Sequence, residues 1–107
     1  MYRNELKYKR RTANESLGNL AQCIKRLVLR AYKTAPKHTR DVLAKDSFID
    51  ALSDRDMEWA IHQRKPASID EALQCALEYE SFMVSRRMRG EDRRGIRMQS
   101  GASDLYD

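Results

Sequence analysis

Proline, glycine and cysteine are scarce in this chain of 107 residues, which has two prolines, four glycines and two cysteines. So few chain-breaking residues favour a short-looped, all-helical protein over a sheet or a disordered chain. Cys23 and Cys75 are too few for a disulfide framework, so a reducing, intracellular setting is expected. No apolar run approaches the roughly 20 residues that cross a bilayer, and the first residues do not resemble a signal peptide. We therefore expect a soluble protein with no membrane partner.

The chain also lacks the motifs of catalysis and of metal or cofactor binding. A zinc knuckle needs closely spaced cysteines and histidine, whereas His38 and His62 lie apart from both cysteines. The acids Asp54, Asp56 and Glu58 lie at a predicted helix start, where the helix dipole favours negative charge. Neither a nucleophile elbow nor a phosphate-binding loop occurs. We predict a protein that is not an enzyme and that holds no metal and no cofactor.

Positive charge is concentrated at the two ends of the chain. Residues 1–11 contain five Lys and Arg against one Glu, and residues 84–98 contain six Arg against two acids. Residues 12–83 contain ten Lys and Arg against eleven acids, so this body offers nucleic acid no strong general attraction. Any binding of nucleic acid is therefore expected at the ends.

Apolar spacing predicts four amphipathic helices joined by short loops. Residues 15–33 carry the clearest apolar stripe, and Asn14 is the predicted cap of that helix. Ser68 followed by Glu71 forms a capping box, which predicts the start of the last helix. The predicted helices cover residues 15–33, 39–52, 55–64 and 68–86.

This pattern predicts a compact, antiparallel four-helix domain between two basic segments. Past Gly90 the apolar periodicity is lost, and Gly, Ser and charged residues dominate, which is typical of a flexible tail. We assign residues 1–11 to a basic leader, 12–86 to the helical domain and 87–107 to a flexible basic tail.

One carboxylate, that of Glu80, falls on the predicted buried side of the last helix. A carboxylate in such a place needs a cation or an amide as its partner. Arg30 of the first predicted helix is the expected partner.

Three segments in fixed order resemble a known family: NESLGNLAQCIKRLVLRAY, then FIDALSD, then KPASIDEALQCALEYE. They resemble the carboxy-terminal capsid domain of Gag proteins from Ty3/gypsy-type retrotransposons and their domesticated descendants. The resemblance covers about residues 10–86. It implies a retroviral-capsid-like fold and a segment similar to the major homology region. Arg11, Leu20 and Cys23 depart from the glutamine, tyrosine and arginine usual in that family. The homology-region-like residues are Glu15, Leu17, Leu20, Ile24, Arg26 and Leu27.

Large apolar residues off the predicted core stripes are candidates for contacts between copies of the chain. On the second predicted helix, Val42, Phe48, Ile49 and Leu52 form the buried side, and Leu43 lies away from Phe48, Ile49 and Leu52. Trp59 lies opposite the apolar side of the third helix, and it either anchors an interface or packs against a neighbouring helix or the chain ends. The resemblance implies a two-fold contact through the second helix. The candidate dimer-interface residues are Thr39, Leu43, Asp46, Ser47, Asp50 and Trp59.

The arginines near the carboxyl end have two interpretations. They gather RNA electrostatically and without sequence preference, or they form a solvated linker. Aromatic residues, on which bases stack, are nearly absent from this segment, where only Tyr106 occurs. The candidate nucleic-acid contacts are Arg86, Arg87, Arg89, Arg93, Arg94 and Arg97.

Taken together, the resemblance implies a structural capsid protein that forms weak homodimers and a higher-order lattice, in cytoplasmic capsid-like particles that package RNA. The alternatives are a small helical nucleic-acid-binding module, such as a helix-turn-helix regulator, and a dimerisation module of the SCAN type. A recognition helix usually carries basic residues. The third predicted helix instead exposes Asp56 and Glu58, which speaks against the helix-turn-helix alternative.

Overall fold

The computed structural model describes residues 1–96, with side chains through Arg89, and this part of the chain is all-helical. The prediction of an all-α protein is confirmed, but the predicted number of four helices is wrong. An additional short helix lies within the predicted leader. The helices are α1 (Tyr2–Tyr8), α2 (Leu17–Ala31), α3 (Lys37–Ala51), α4 (Arg55–Arg64) and α5 (Ile69–Ile96).

Helix α1 is part of the fold and not a separate leader. It packs against α2 and α3 and contributes Leu6 to the core. The guanidinium of Arg3 lies 4.7 Å from the centre of the Tyr32 ring, and that of Arg30 lies 5.6 Å from the Tyr2 ring. This helix is hard to predict from the sequence because one buried leucine makes no periodic pattern.

Helix α2 supplies the central layer of the core and begins two residues later than predicted. Its cap is Ser16, whose hydroxyl accepts a hydrogen bond from the backbone N–H of Asn19 at 3.1 Å, so the prediction of Asn14 as cap is wrong. A serine side chain satisfies a free amide of the first turn as well as asparagine does. The buried residues of α2 are Leu17, Leu20, Ala21, Ile24, Leu27 and Val28.

Helices α3 and α4 follow the predicted pattern closely. α3 begins at Lys37, two residues before the predicted start, with Pro36 at the cap position. α4 has the predicted bounds, and the Asp54 carboxylate accepts a hydrogen bond from the Met57 N–H at 3.1 Å. Lys65 ends α4 in the left-handed region, with φ of 50°.

Helix α5 begins at the predicted capping box. The Ser68 hydroxyl accepts a hydrogen bond from the Glu71 N–H at 3.2 Å, while the Glu71 carboxylate accepts one from the Ala67 N–H at 2.9 Å. The helix then runs ten residues past its predicted end at Arg86, so the boundary placed there is wrong. The arginines, methionine and glutamate of this stretch are good helix formers, which outweighs the lost apolar periodicity. Residues 97–107 of the predicted tail lie outside the described part.

The core lies where α5 crosses α2, α3 and α4, and α5 leaves the bundle after Met83. Every side chain from Val84 to Arg89 is exposed. The principal extents are therefore unequal, at 59 × 26 × 16 Å. Among residues 1–96, none of the helices combines the length and apolar character that a bilayer span requires. The largest fully buried side chains are Phe48, Leu17, Leu20, Ile24, Ile49 and Ile61.

Candidate interaction surfaces

The predicted contact residues of α3 lie on its outer side, and together we name them the α3 surface. Thr39, Asp46 and Asp50 are exposed, and Ser47 is half-buried. Leu43 is also half-buried and packs against the core, so the expectation that it points fully away from the core is wrong. The reason is that Ala44 lies on the buried side of α3, and Leu43, which precedes it in the chain, lies at the edge of that side. The residues of the α3 surface are Thr39, Leu43, Asp46, Ser47 and Asp50.

Val42 is more exposed, and Leu43 is more buried, than the sequence predicted. Val42 was expected in the core and is 37% exposed. Ala44, Phe48 and Ala51 define the centre of the buried side, and a rotation of 100° per residue carries Val42 away from it. The apolar pattern of α3 is too weak to place these two residues from sequence alone.

Trp59 is exposed, and the alternative that it packs against a neighbouring helix is wrong. Its side chain is 67% exposed on the outer side of α4, while Met57 and Ile61 face the core. The carboxylate of Asp54 fixes the first turn of α4 and therefore the direction of each side chain after it. An indole kept in water without a local partner is a typical anchor of a protein interface.

The homology-region-like residues divide into a core set of four apolar residues and a polar pair, Glu15 and Arg26. Leu17, Leu20, Ile24 and Leu27 are buried, whereas Arg26 is exposed and lies outside the core.

Glu15 lies in the turn before α2 and forms a compact polar contact there. Its Oε1 atom accepts hydrogen bonds from Lys9 Nζ and from the Thr12 N–H, both at 3.1 Å. Burial raises the pKa of this carboxyl, but these two hydrogen bonds and the charges of Lys9 and Arg11 outweigh it and lower the pKa overall. Glu15 is thus held ionised and fixes the entry into α2.

Arg11, which no sequence prediction singled out as a site, joins three parts of the fold. Its backbone N–H donates to the Ala51 carbonyl at 2.8 Å, and its Nε donates to the Glu15 carbonyl at 2.9 Å. Its Nη2 atom pairs with the Glu80 carboxylate at 3.1 Å. The expected partner Arg30 is therefore wrong, and that residue instead lies against Tyr2. The one signal was that Arg11 stands where the resembling family has glutamine.

The candidate nucleic-acid residues follow the free part of α5. Arg86, Arg87 and Arg89 are exposed, and the Arg86 guanidinium lies 5.9 Å from the centre of the Phe82 ring. Arg93 and Arg94 lie on helical backbone whose side chains are not described, and Arg97 lies outside the described residues.

Tyr79 lies near the point where α5 leaves the bundle, in a shallow groove that Arg87 also lines. Burial raises the pKa of its hydroxyl, and the charges of Asp54 and Asp56 raise it further against the opposing charge of Arg86. The phenol therefore stays neutral at physiological pH.

A second surface, which the sequence did not single out as a site, lies between α2, α3 and the start of α5. We name it the basic groove. Its volume is about 380 Å³, and its apolar lining comes from Val28, Leu29, Ala44 and Ile69. Ion pairs cross its rim, from Lys25 Nζ to Asp70 at 2.8 Å and from Lys37 Nζ to Asp41 at 3.1 Å. Arg40 also lines the groove.

No site of catalysis or metal binding stands out in the described part of the chain. Residues 1–89 contain no cluster of His, Cys, Asp and Glu that could hold a metal ion. Cys75 is buried and Cys23 is half-buried, and both are free thiols. None of the family models, curated proteins and solved structures compared with this chain matches it. Function is therefore inferred from the geometry of the chain and from the three segments that resemble Gag capsids.

Proposed function

We propose that this chain is a structural self-assembly domain of the Gag-capsid type, which forms weak homodimers that multiply into a lattice. The contact is the α3 surface, assisted by Trp59. The observation that carries the proposal is the 67% exposure of the only tryptophan in the chain. The setting is cytoplasmic capsid-like particles, as the resemblance of the three segments implies.

The size of these surfaces favours a weak contact over a permanent dimer. A two-fold contact buries one indole from each copy, and about 150 Å² of each contributes about 8 kcal/mol in total. The loss of translational and rotational freedom on association costs about 4 kcal/mol or more, which offsets much of this gain and leaves a weak contact. The half-buried Leu43 and the exposed acids of α3 add little apolar area. Assembly therefore depends on many copies whose weak contacts act together.

Sedimentation equilibrium of the full, nuclease-treated chain from about 5 to 500 µM tests this proposal. We expect a monomer–dimer equilibrium that Trp59→Ala weakens at least fivefold. Thr39→Glu is expected to weaken it as well, because it adds an acid at an exposed position of the α3 surface, whose acids already repel those of the other copy.

Tyr8→Ala is the matched control, since Tyr8 is an aromatic residue that is 69% exposed on α1 and belongs to neither α3 nor α4. It should leave the association constant unchanged. A chain that stays monomeric over the whole range contradicts the proposal, as does equal loss in the Tyr8 and Trp59 variants. Circular dichroism confirms that each variant retains its helices.

A second candidate function is binding of RNA along the free part of α5. The observation that favours it is the exposure of Arg86, Arg87 and Arg89 beyond the bundle, where no acid within the described residues pairs with them. Contacts of this kind go to phosphates and carry no sequence preference. The same particles would then gather their RNA through α5 and hold together through α3.

Replacing all three of these arginines by glutamine tests RNA binding. We expect single-stranded RNA to bind less tightly at about 50 mM salt, and the slope of log K against log salt to fall by about 2. Glutamine at Arg26, Arg30 and Arg55 is the control, since these arginines are exposed on α2 and α4, within the bundle and away from both basic ends. Equal loss in both triple variants would show that net charge, and not the α5 segment, governs binding.

A further inference from the structure

Half of the residues that line the basic groove come from a long stretch of the chain that contains no acid. Residues 25–40 include six Lys and Arg and neither Asp nor Glu. The other lining residues include Asp41 and Asp70, which pair with two of the three cations of the groove. The groove also has apolar surface in contact with water, since Leu29 is 54% exposed. Apolar walls beside a cation left over from these pairs suit a short peptide that carries both an apolar side chain and a carboxylate.

Arg40 is the cation best placed to receive such a carboxylate. The other two cations on the rim, Lys25 and Lys37, are already paired with acids of this chain. Arg40 is half-buried, lines the groove and forms no ion pair within residues 1–89. Its guanidinium offers two parallel N–H donors, which match the geometry of a carboxylate.

The sequence of this same chain contains a peptide of that chemistry. Residues 104–107 read DLYD, with a leucine and a tyrosine between two aspartates. Leu105 and Tyr106 match the apolar walls of the groove, and a carboxylate of the segment matches the guanidinium of Arg40. An RNA strand matches the charge, but its phosphates gain nothing from the exposed leucine.

The length of the chain decides which copy supplies this segment. The groove includes Ile69 at the start of α5, and the helix ends at Ile96, which is about 40 Å away along its axis. From Ile96 a fully stretched chain can place Leu105 at most about 32 Å away and Tyr106 at most about 36 Å away. The apolar pair that must enter the groove therefore falls short of the groove of its own chain.

We infer that the basic groove binds the Asp104–Asp107 segment of a second copy of this chain. This contact goes beyond the proposed function, because it joins two different surfaces and uses neither the α3 surface nor Trp59. A contact between different surfaces leaves one free groove and one free segment in every pair, so it propagates from copy to copy. Such propagation links dimers that a two-fold contact alone would leave separate.

Fluorescence polarisation tests the groove directly, with the labelled peptide of residues 99–107, QSGASDLYD, and the full chain at low micromolar concentration. We expect saturable binding that Leu29→Asn and Arg40→Gln each weaken at least fivefold. Leu77→Asn is the matched control, because Leu77 is 40% exposed on α5 outside the groove and should leave binding unchanged. A peptide with serine in place of Leu105 and Tyr106 should bind at least fivefold more weakly.

Several results of this titration overturn the inference. They are absence of peptide binding, equal loss in the Leu29 and Leu77 variants, and full binding of the serine peptide. A labelled oligouridylate tests the alternative that the groove binds RNA. If it displaces the peptide, and if Arg40→Gln weakens its binding more than the binding of the peptide, the groove is assigned to RNA. Trp59→Ala should leave peptide binding unchanged, so failure of the dimer proposal and failure of this one are distinguished.

A cross-linking experiment tests whether the segment comes from another copy. A photoreactive amino acid replaces Tyr106 in the full chain, and chains with heavy and light isotopes are mixed before irradiation. We expect cross-linked peptides that pair heavy with light chains and that map to α2 and α3 around Leu29. Products confined to single chains, or mapped to another surface, overturn the inference.

Discussion

At the scale of single residues, Arg11 joins the turn before α2 to the end of α3 and to the middle of α5. Its side chain donates to the Glu15 carbonyl and to the Glu80 carboxylate. We expect Arg11→Ala to lower the free energy of unfolding by about 2 kcal/mol, because it removes two hydrogen bonds, one of them to a charged group that is partly exposed. Chemical denaturation measures the change.

Arg10→Ala is the control for this variant. Arg10 is exposed and its guanidinium donates only to the nearby carbonyls of Lys7 and Lys9. Its replacement should cost less than about 0.5 kcal/mol. If the two variants lose equal stability, the role given to Arg11 is contradicted.

Glu15 gives the fold a dependence on pH whose sign follows from its lowered pKa. Because the carboxylate is stabilised in the folded state, its contribution is present above the usual value near 4.5 and is lost as the pH falls through the lower folded pKa. We expect Glu15→Gln to cost about 1 kcal/mol at pH 7 and less at pH 3, where more of the carboxylate is protonated.

Urea denaturation of both proteins at the two pH values provides this comparison. Glu5→Gln is the control, since Glu5 is exposed and accepts no side-chain hydrogen bond from a described residue. A loss in Glu15→Gln that is the same at pH 3 and pH 7 would show that the ionised form is not what stabilises the turn.

At the scale of elements, α1 shows how one buried residue makes a short helix part of the fold. Seven residues are too few for a stable isolated helix, so packing must hold it. We expect Leu6→Ala to destabilise the chain by about 2 kcal/mol, because Leu6 is only 8% exposed within the core. Tyr8→Ala, at the same helix but 69% exposed, should change the free energy of unfolding by less than about 0.5 kcal/mol.

Helix α5 continues past the residues that pack on the bundle, and two glycine replacements compare this free part with the packed helix α2. An added Cβ at Gly18 of α2 meets no heavy atom within 4 Å, so Gly18→Ala should raise the free energy of unfolding by about 0.5–1 kcal/mol. Gly90→Ala should raise the helical circular dichroism signal with little change in the melting temperature, since its gain of about 1 kcal/mol stays within the free part. A matching rise in melting temperature for both variants would contradict this division.

At the scale of the whole molecule, the acids of the α3 surface set the response of assembly to salt. In a two-fold contact each copy brings Asp46 and Asp50 toward those of the other. Like charges repel and salt screens them, so we expect about 500 mM NaCl to strengthen the dimer about threefold over 50 mM.

The double variant Asp46→Asn and Asp50→Asn checks this explanation. It should dimerise more tightly at low salt and show little response to added salt. Sedimentation equilibrium at both salt concentrations measures each constant. A wild-type dimer that weakens as salt is added would contradict a contact through the α3 surface and favour one between opposite charges.

The sequence alone predicted the features that depend on local chemistry. The capping box at Ser68, the cap at Asp54 and the apolar stripe of α2 each specify their helix through neighbours three or four residues away. The position of Trp59 opposite the apolar side of α4 also followed from helical rotation alone, although its exposure did not. These features needed no knowledge of how the helices are arranged.

Only the tertiary structure decided the features in which distant parts of the chain meet. Helix α1 exists because α2 and α3 cover Leu6, and Glu80 finds Arg11 across 69 residues. The placement of Val42 and Leu43, and the basic groove, likewise depend on where α2 and α5 cross α3. Periodicity reports which side of one helix is apolar, whereas the partner of each side chain is set by the packing of helices that are remote in sequence.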